Sequence, residues 1–168
     1  MNVAFHELVG IALAQEVGAR GPGVRARSWL AACALAVASH GVLDALPHYY
    51  PLPPPWADAV VSVVLVAGWC LLVPRWMRAP LLLVCVASLL PDIIDHVGDD
   101  LRKHLGIPFP VVPNLFPWHW PAGSGSWRGR TGPNWIVSTV NHLIVVAFCA
   151  AALVRTRHLL SWPGRRRG

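Results

Sequence analysis

Charge is what this chain has least of. Only 13% of its 168 residues are charged, and Asp plus Glu number 8, against roughly 25% charged residues in ordinary soluble domains. With 55% hydrophobic residues and a mean hydropathy of +0.49, the composition excludes a water-soluble globular domain and indicates an integral membrane protein. The apolar stretches 29–46, 57–73, 80–94 and 135–154 each approach the ~20 residues needed to cross ~30 Å of hydrocarbon. A further stretch, 3–17, is shorter and carries His6, Glu7, Gln15 and Glu16; it reads as a fifth span or as an interfacial amphipathic helix, with the span preferred. The expected fold is all-α. It is a polytopic membrane bundle of four to five transmembrane helices, forming a single integral domain over 1–168, with a Pro/Trp-rich extracytoplasmic loop at 97–134 and a basic cytoplasmic tail at 155–168.

Other absences narrow the function. Cys33, Cys70, Cys85 and Cys149 stand singly in apolar segments, without the paired spacing of thiolate zinc sites or a disulfide framework. No basic region precedes the first apolar stretch, so no cleaved signal peptide is expected. Internal repeats are not evident. The net charge of +6 sits at the ends of the spans, which argues against nucleic acid and for the positive-inside bias of membrane proteins. Arg20, Arg25 and Arg27, then Arg75 and Arg78, then Arg155, Arg157, Arg165, Arg166 and Arg167 mark the cytoplasmic side. The connections 47–56 and 97–134 fall outside.

The few acids are not scattered. His40, Asp44 and His48 follow one another at four-residue spacing, which on a helix stacks them along one face with about 40° between neighbours. Asp92, Asp95 and His96 occupy i, i+3 and i+4 after Pro91, a residue suited to a first helical turn or a kink. By the topology above, both motifs lie at the outer ends of their spans, where Asn141 and His142 also enter and where His6 and Glu7 arrive if the first segment crosses. Ionisable groups in a lipid-compatible segment cost several kcal/mol unless partnered, and the natural partner is a metal ion. Mixed imidazole and carboxylate ligands favour zinc, with manganese or iron next. The plainer alternatives are a structural network at a helix end for the first motif and an interfacial cap for the second. Asp99 and Asp100 read as outlying support for the site or as solvated charges, and His104 and His158 as solvent or interface residues.

Proline excludes a helix across 106–133, which reads as a loop. Trp118, Trp120, Trp127 and Trp135 suit a lipid headgroup interface. The alternative is a cover that dips over the site, with His119 as a further ligand or acid.

At these residues the chain resembles the bacterial membrane-bound metal-dependent hydrolases, a group that includes a LexA-regulated inner-membrane protein. Those proteins pair an N-terminal His with a Leu-Pro-Asp-x-Asp-His motif and a Ser-His-x-x-x-Asp motif that ends in Pro. The matching residues here are His6, then Leu90, Pro91, Asp92, Asp95 and His96, then Ser39, His40, Asp44 and Pro47. The two motifs come in the opposite order, one more residue separates the acids of the first, and an Arg-Gly-x-Thr-His element of the family is missing. The His-x-x-x-Asp pair is also similar to the zinc-ligand pair of zinc-dependent phospholipases C. The resemblance implies metal binding in a bacterial inner membrane and a hydrolase reaction.

The residues then divide by role. The expected metal ligands are His6, His40, Asp44, His48, Asp92, His96 and His142, holding one or two divalent ions that activate water and polarise a phosphoryl or acyl oxygen. Glu7 or Asp95 is the expected proton acceptor and His119 an acid. A membrane lipid is the expected substrate, with a metal-handling transporter or sensor and a non-enzymatic structural membrane protein as alternatives.

Overall fold

The computed structural model describes residues 3–48, 55–111, 113–120 and 134–160. Residues 121–133, including Trp127, Arg128 and Arg130, and the tail basics Arg165, Arg166 and Arg167 lie outside the described residues. Among the described residues the fold is helical without strands: α1 (Val3–Gly18), α2 (Ala26–Ala45), α3 (Pro55–Leu72), α4 (Arg75–Leu105), a 3-10 turn (Pro117–His119), α5 (Asn134–Arg155) and a second 3-10 turn (Arg157–Leu159).

Three helices are long and apolar enough to cross a membrane, within Ala26–Ala45, Arg75–Lys103 and Trp135–Arg155. The apolar part of α3, Ala57–Leu72, is shorter. The 16 residues of α1 extend about 24 Å at 1.5 Å per residue. Yet α1 is no surface helix, because it packs against α2, α3, α4 and α5. Small residues let it approach closely: a Cβ on Gly10 would lie 3.2 Å from Ser88 Oγ and 3.3 Å from Cys85 Cα. Gly18 meets Met77 in the same way, so α1 and α4 run antiparallel. Its N-terminus is held by Asp58 of α3, whose carboxylate accepts the backbone N–H of Val3 at 2.6 Å and of Ala4 at 3.3 Å. A buried carboxylate at that end satisfies donors left over by the helix and complements its dipole.

The core between α1, α2 and α4 is apolar and small, built on Ile11, Ala14, Ala32, Ala36, Leu81 and Val84. A second cluster of Ala12, Leu43, Val145 and Cys149 joins α1, α2 and α5. Both leave His6 and Glu7 of α1, His40 and Asp44 of α2, and Asp92, Asp95 and His96 of α4 at one end of the bundle.

Two features of α4 bear on expectation. Of the two places expected for Pro91, a first turn or a kink, the first is excluded because Pro91 lies inside a continuous helix. The segment expected to leave the helix at Val97 stays helical to Leu105. Asp99 supports it through Arg102 at 2.6 Å and Lys103 at 3.0 Å, the i+3 and i+4 pairs that help an exposed helix. Gly106 then stops it in the left-handed region at φ 65°, with the Ile107 N–H reaching back 3.2 Å to the Leu101 carbonyl, a closure typical of glycine.

Candidate metal centre

The four-residue stripe of α2 is realised only in part. His40 and Asp44 lie within the helix, but α2 ends at Ala45 and Leu46 is extended, as the residue before a proline prefers. His48 therefore leaves the stripe and donates its Nδ1–H to the Leu46 carbonyl at 2.8 Å. Burial pushes its pKa down to about 4.

His40 faces α4. Its Nδ1 lies 2.6 Å from the Ser88 carbonyl oxygen, which can only accept, so Nδ1 carries the hydrogen and Nε2 is left for the site.

His119 arrives from the 3-10 turn, with its side chain 4% exposed. Its Nδ1 lies 2.7 Å from Asp95 Oδ2, and its Nε2 again points inward.

The two Nε2 atoms alternate with two carboxylate oxygens in a closed ring. His40 Nε2 is 3.1 Å from Asp44 Oδ2 and 3.4 Å from Asp92 Oδ1; His119 Nε2 is 3.2 Å from each of the same oxygens. One donor atom from each of the four residues lies within 4.8 Å of the others. Neighbouring ligands of a tetrahedral zinc ion bound at 2.0–2.1 Å lie about 3.3 Å apart; four of the six donor pairs are at that length, and the other two lie within 4.8 Å. The short edge to Asp44 is not a hydrogen bond, for buried His40 Nε2 makes none among the described residues. With each Nδ1–H already engaged, a neutral imidazole at either position would turn a lone pair toward two carboxylate oxygens, and a protonated one a second N–H. Such an arrangement requires positive charge at its centre, supplied by protons or by a cation. Burial alone would lower the His119 pKa, but hydrogen bonds to Asp92 and Asp95 outweigh it and hold the group above its ordinary value.

The remaining expected residues surround the ring. His6 stacks on His40 with centroids 3.8 Å apart, and its Nε2 lies 3.1 Å from the other Asp44 oxygen, Oδ1; it backs Asp44 and is not among the four. His96 is at the rim, its side chain 47% exposed and its Nε2 3.9 Å from Asp92 Oδ1. His142 donates Nδ1–H to its own Ser138 carbonyl at 2.6 Å and packs edge-on against Phe5. Glu7 is buried on the helix face that meets α4, and its Oε2 makes no hydrogen bond among the described residues. Asp95 holds the loop: besides His119 it accepts the N–H of Leu115 at 2.8 Å and of Phe116 at 3.1 Å. The sequence reading passed over Asp58, whose lone acid in an apolar helix was its available signal.

No family model, curated protein or solved structure matches the chain.

Proposed function

We propose that this protein is a membrane-embedded metal-dependent hydrolase acting on a lipid or lipid-linked phosphoester or ester at the outer leaflet of a bacterial inner membrane. The observation that carries the reading is the alternating ring of His40, Asp44, His119 and Asp92, with both imidazoles locked by their Nδ1 partners so that Nε2 faces the centre. Two nitrogen and two oxygen donors suit zinc best, with manganese next. A divalent ion held by these four residues would lower the pKa of a bound water and polarise a phosphoryl or acyl oxygen.

The chain's own residues allot the other roles. Asp95 already accepts three N–H groups of the loop and Glu7 is buried beside α4, so His96 at the exposed rim is the residue best placed to exchange protons with water. Trp118 and Phe116, with ring centroids 5.0 Å apart, roof the site with aromatic surface, and Ile93, Ile94 and Val97 are exposed on the adjoining face of α4. An apolar rim beside a charged centre suits an amphiphile whose tail stays in lipid. One and two turns further in, α2 presents only Ala36 and Ala32, while α1 and α4 still bury Glu7, Gln15 and Ser88, so metal handling is the second reading that the test must separate.

The test is a screen of phospholipids and lipid-linked phosphates with zinc- or manganese-loaded protein, run beside the Asp44→Asn variant. Turnover by the wild type alone is expected. Tight metal binding without turnover of any substrate would defeat the hydrolase reading and leave metal handling in its place.

A further inference from the structure

The ring draws its donors from supports of unequal stiffness. His40 and Asp44 stand on α2 and Asp92 on α4, but His119 belongs to a three-residue turn in the outer loop. A ligand on a loop is only as well placed as the contacts that hold the loop. Three N–H groups of that turn and the two residues before it, from Leu115, Phe116 and the His119 imidazole, converge on the Asp95 carboxylate, which offers about four acceptor positions in all. Two glycines receive the loop's aromatic rings. A Cβ on Gly41 would sit 2.6 Å from the Trp118 ring, and one on Gly98 would likewise collide with Phe109. Gly41 lies between His40 and Asp44 on the ligand helix itself, so the seat of the loop and the ligand stripe share one stretch of backbone.

We infer that Asp95 is a positioning residue that carries His119 into the ligand set, so that metal binding and seating of residues 113–120 are a single equilibrium. This rests on the metal reading of the ring. Its physical basis is that Asp95 does two things with one group. It fixes the His119 tautomer with Nε2 inward and raises the basicity of that nitrogen, while its remaining lone pairs hold the backbone on which His119 is carried. Without it, both the orientation of the imidazole and the docking of the turn are lost together.

Cobalt(II) is a suitable probe, titrated into the full-length protein in detergent and followed by its visible absorption. Asp95→Asn is expected to weaken cobalt binding by about 10- to 100-fold and to shift the absorption toward that of His119→Ala. The double variant Asp95→Asn/His119→Ala is expected to bind no more weakly than His119→Ala alone, because Asp95 acts through His119. Unchanged affinity in Asp95→Asn, or losses that simply add in the double variant, would overturn the inference. If Asp95→Asn does not fold, hydrogen exchange of the wild type decides: cobalt is expected to slow exchange across 113–120, and unaltered exchange counts against the coupling. A wild type that takes up no cobalt fails the metal reading itself. In that case faster exchange at Leu115 and Phe116 in Asp95→Asn still supports the anchoring role, and equal exchange removes it.

Discussion

Two seams at the same end of the bundle carry histidines and differ in what those histidines do. Where α2 meets α4, His40 and His119 close a ring with Asp44 and Asp92. Where α1 meets α5, His142 spends its Nδ1–H on its own helix and lies against Phe5. All of these imidazoles are buried, and both His40 and His142 give Nδ1–H to a backbone carbonyl. What separates them is the opposing charge: α5 contains no Asp or Glu and Glu7 of α1 lies beside Cys85 of α4, while α2 and α4 each bring a carboxylate to the same point. Depth in a membrane makes a histidine costly. A carboxylate across the seam brings it into a group that could hold a metal ion.

The sharpest way to break this comparison is to remove the charges. Asp44→Asn or Asp92→Asn should cost about 3 kcal/mol or more of metal affinity, roughly 100-fold, while His142→Ala should leave it nearly unchanged. Isothermal titration of the purified variants checks both. A loss in His142→Ala as large as that in Asp44→Asn would show that the α1–α5 seam shares the site.

Acidity offers a second lever, with opposite signs in two states of the protein. Because the carboxylates hold the His119 pKa above 6.5, protonated His119 stabilises the chelator-treated fold below that pH, and this contribution is lost as pH rises through the folded pKa. A metal ion must displace that proton, so metal affinity should instead rise with pH, by about tenfold per unit for one proton released. Thermal melting with and without zinc between pH 5.5 and 8 should therefore show slopes of opposite sign for this contribution. Equal slopes would remove the link between His119 and the metal.

Part of this was legible in the spacing of residues and part was not. His40, Asp44 and Asp92 stand where helical periodicity put them, because each lies within a helix whose period holds. His48 fails as a member of the stripe because the period ends at Ala45, ahead of Pro47. His119 was visible as a polar residue in an aromatic, proline-rich loop, but its docking depends on Asp95, Gly41 and Gly98, which lie 21 to 78 positions away in the sequence. The partners of Asp95 are backbone N–H groups, which carry no residue-type signal at all. Asp58 shows the same limit, as its work is to cap a helix more than fifty residues earlier.

The smallest expected effect lies at the far end of the bundle. Arg155 reaches Glu16 through Nη2 at 2.6 Å and Nε at 3.0 Å, tying α5 to α1 in an exposed position. Such pairs contribute about 0–1 kcal/mol, so Arg155→Ala should hardly change the melting temperature and should leave metal affinity untouched. A loss of metal binding in that variant would mean that the two ends of the bundle are coupled.

The central claim is that His40, Asp44, Asp92 and His119 hold one divalent ion between them. It is tested most directly by X-ray absorption at the metal edge of zinc-loaded protein in detergent, with Asp92→Asn as the comparison. The account predicts about one zinc per chain bound by a mixed shell of two imidazoles and two carboxylate oxygens near 2.0–2.1 Å, with the shell lost in the variant. Wild-type protein that takes up no zinc or manganese, or a shell that persists unchanged in Asp92→Asn, would contradict it.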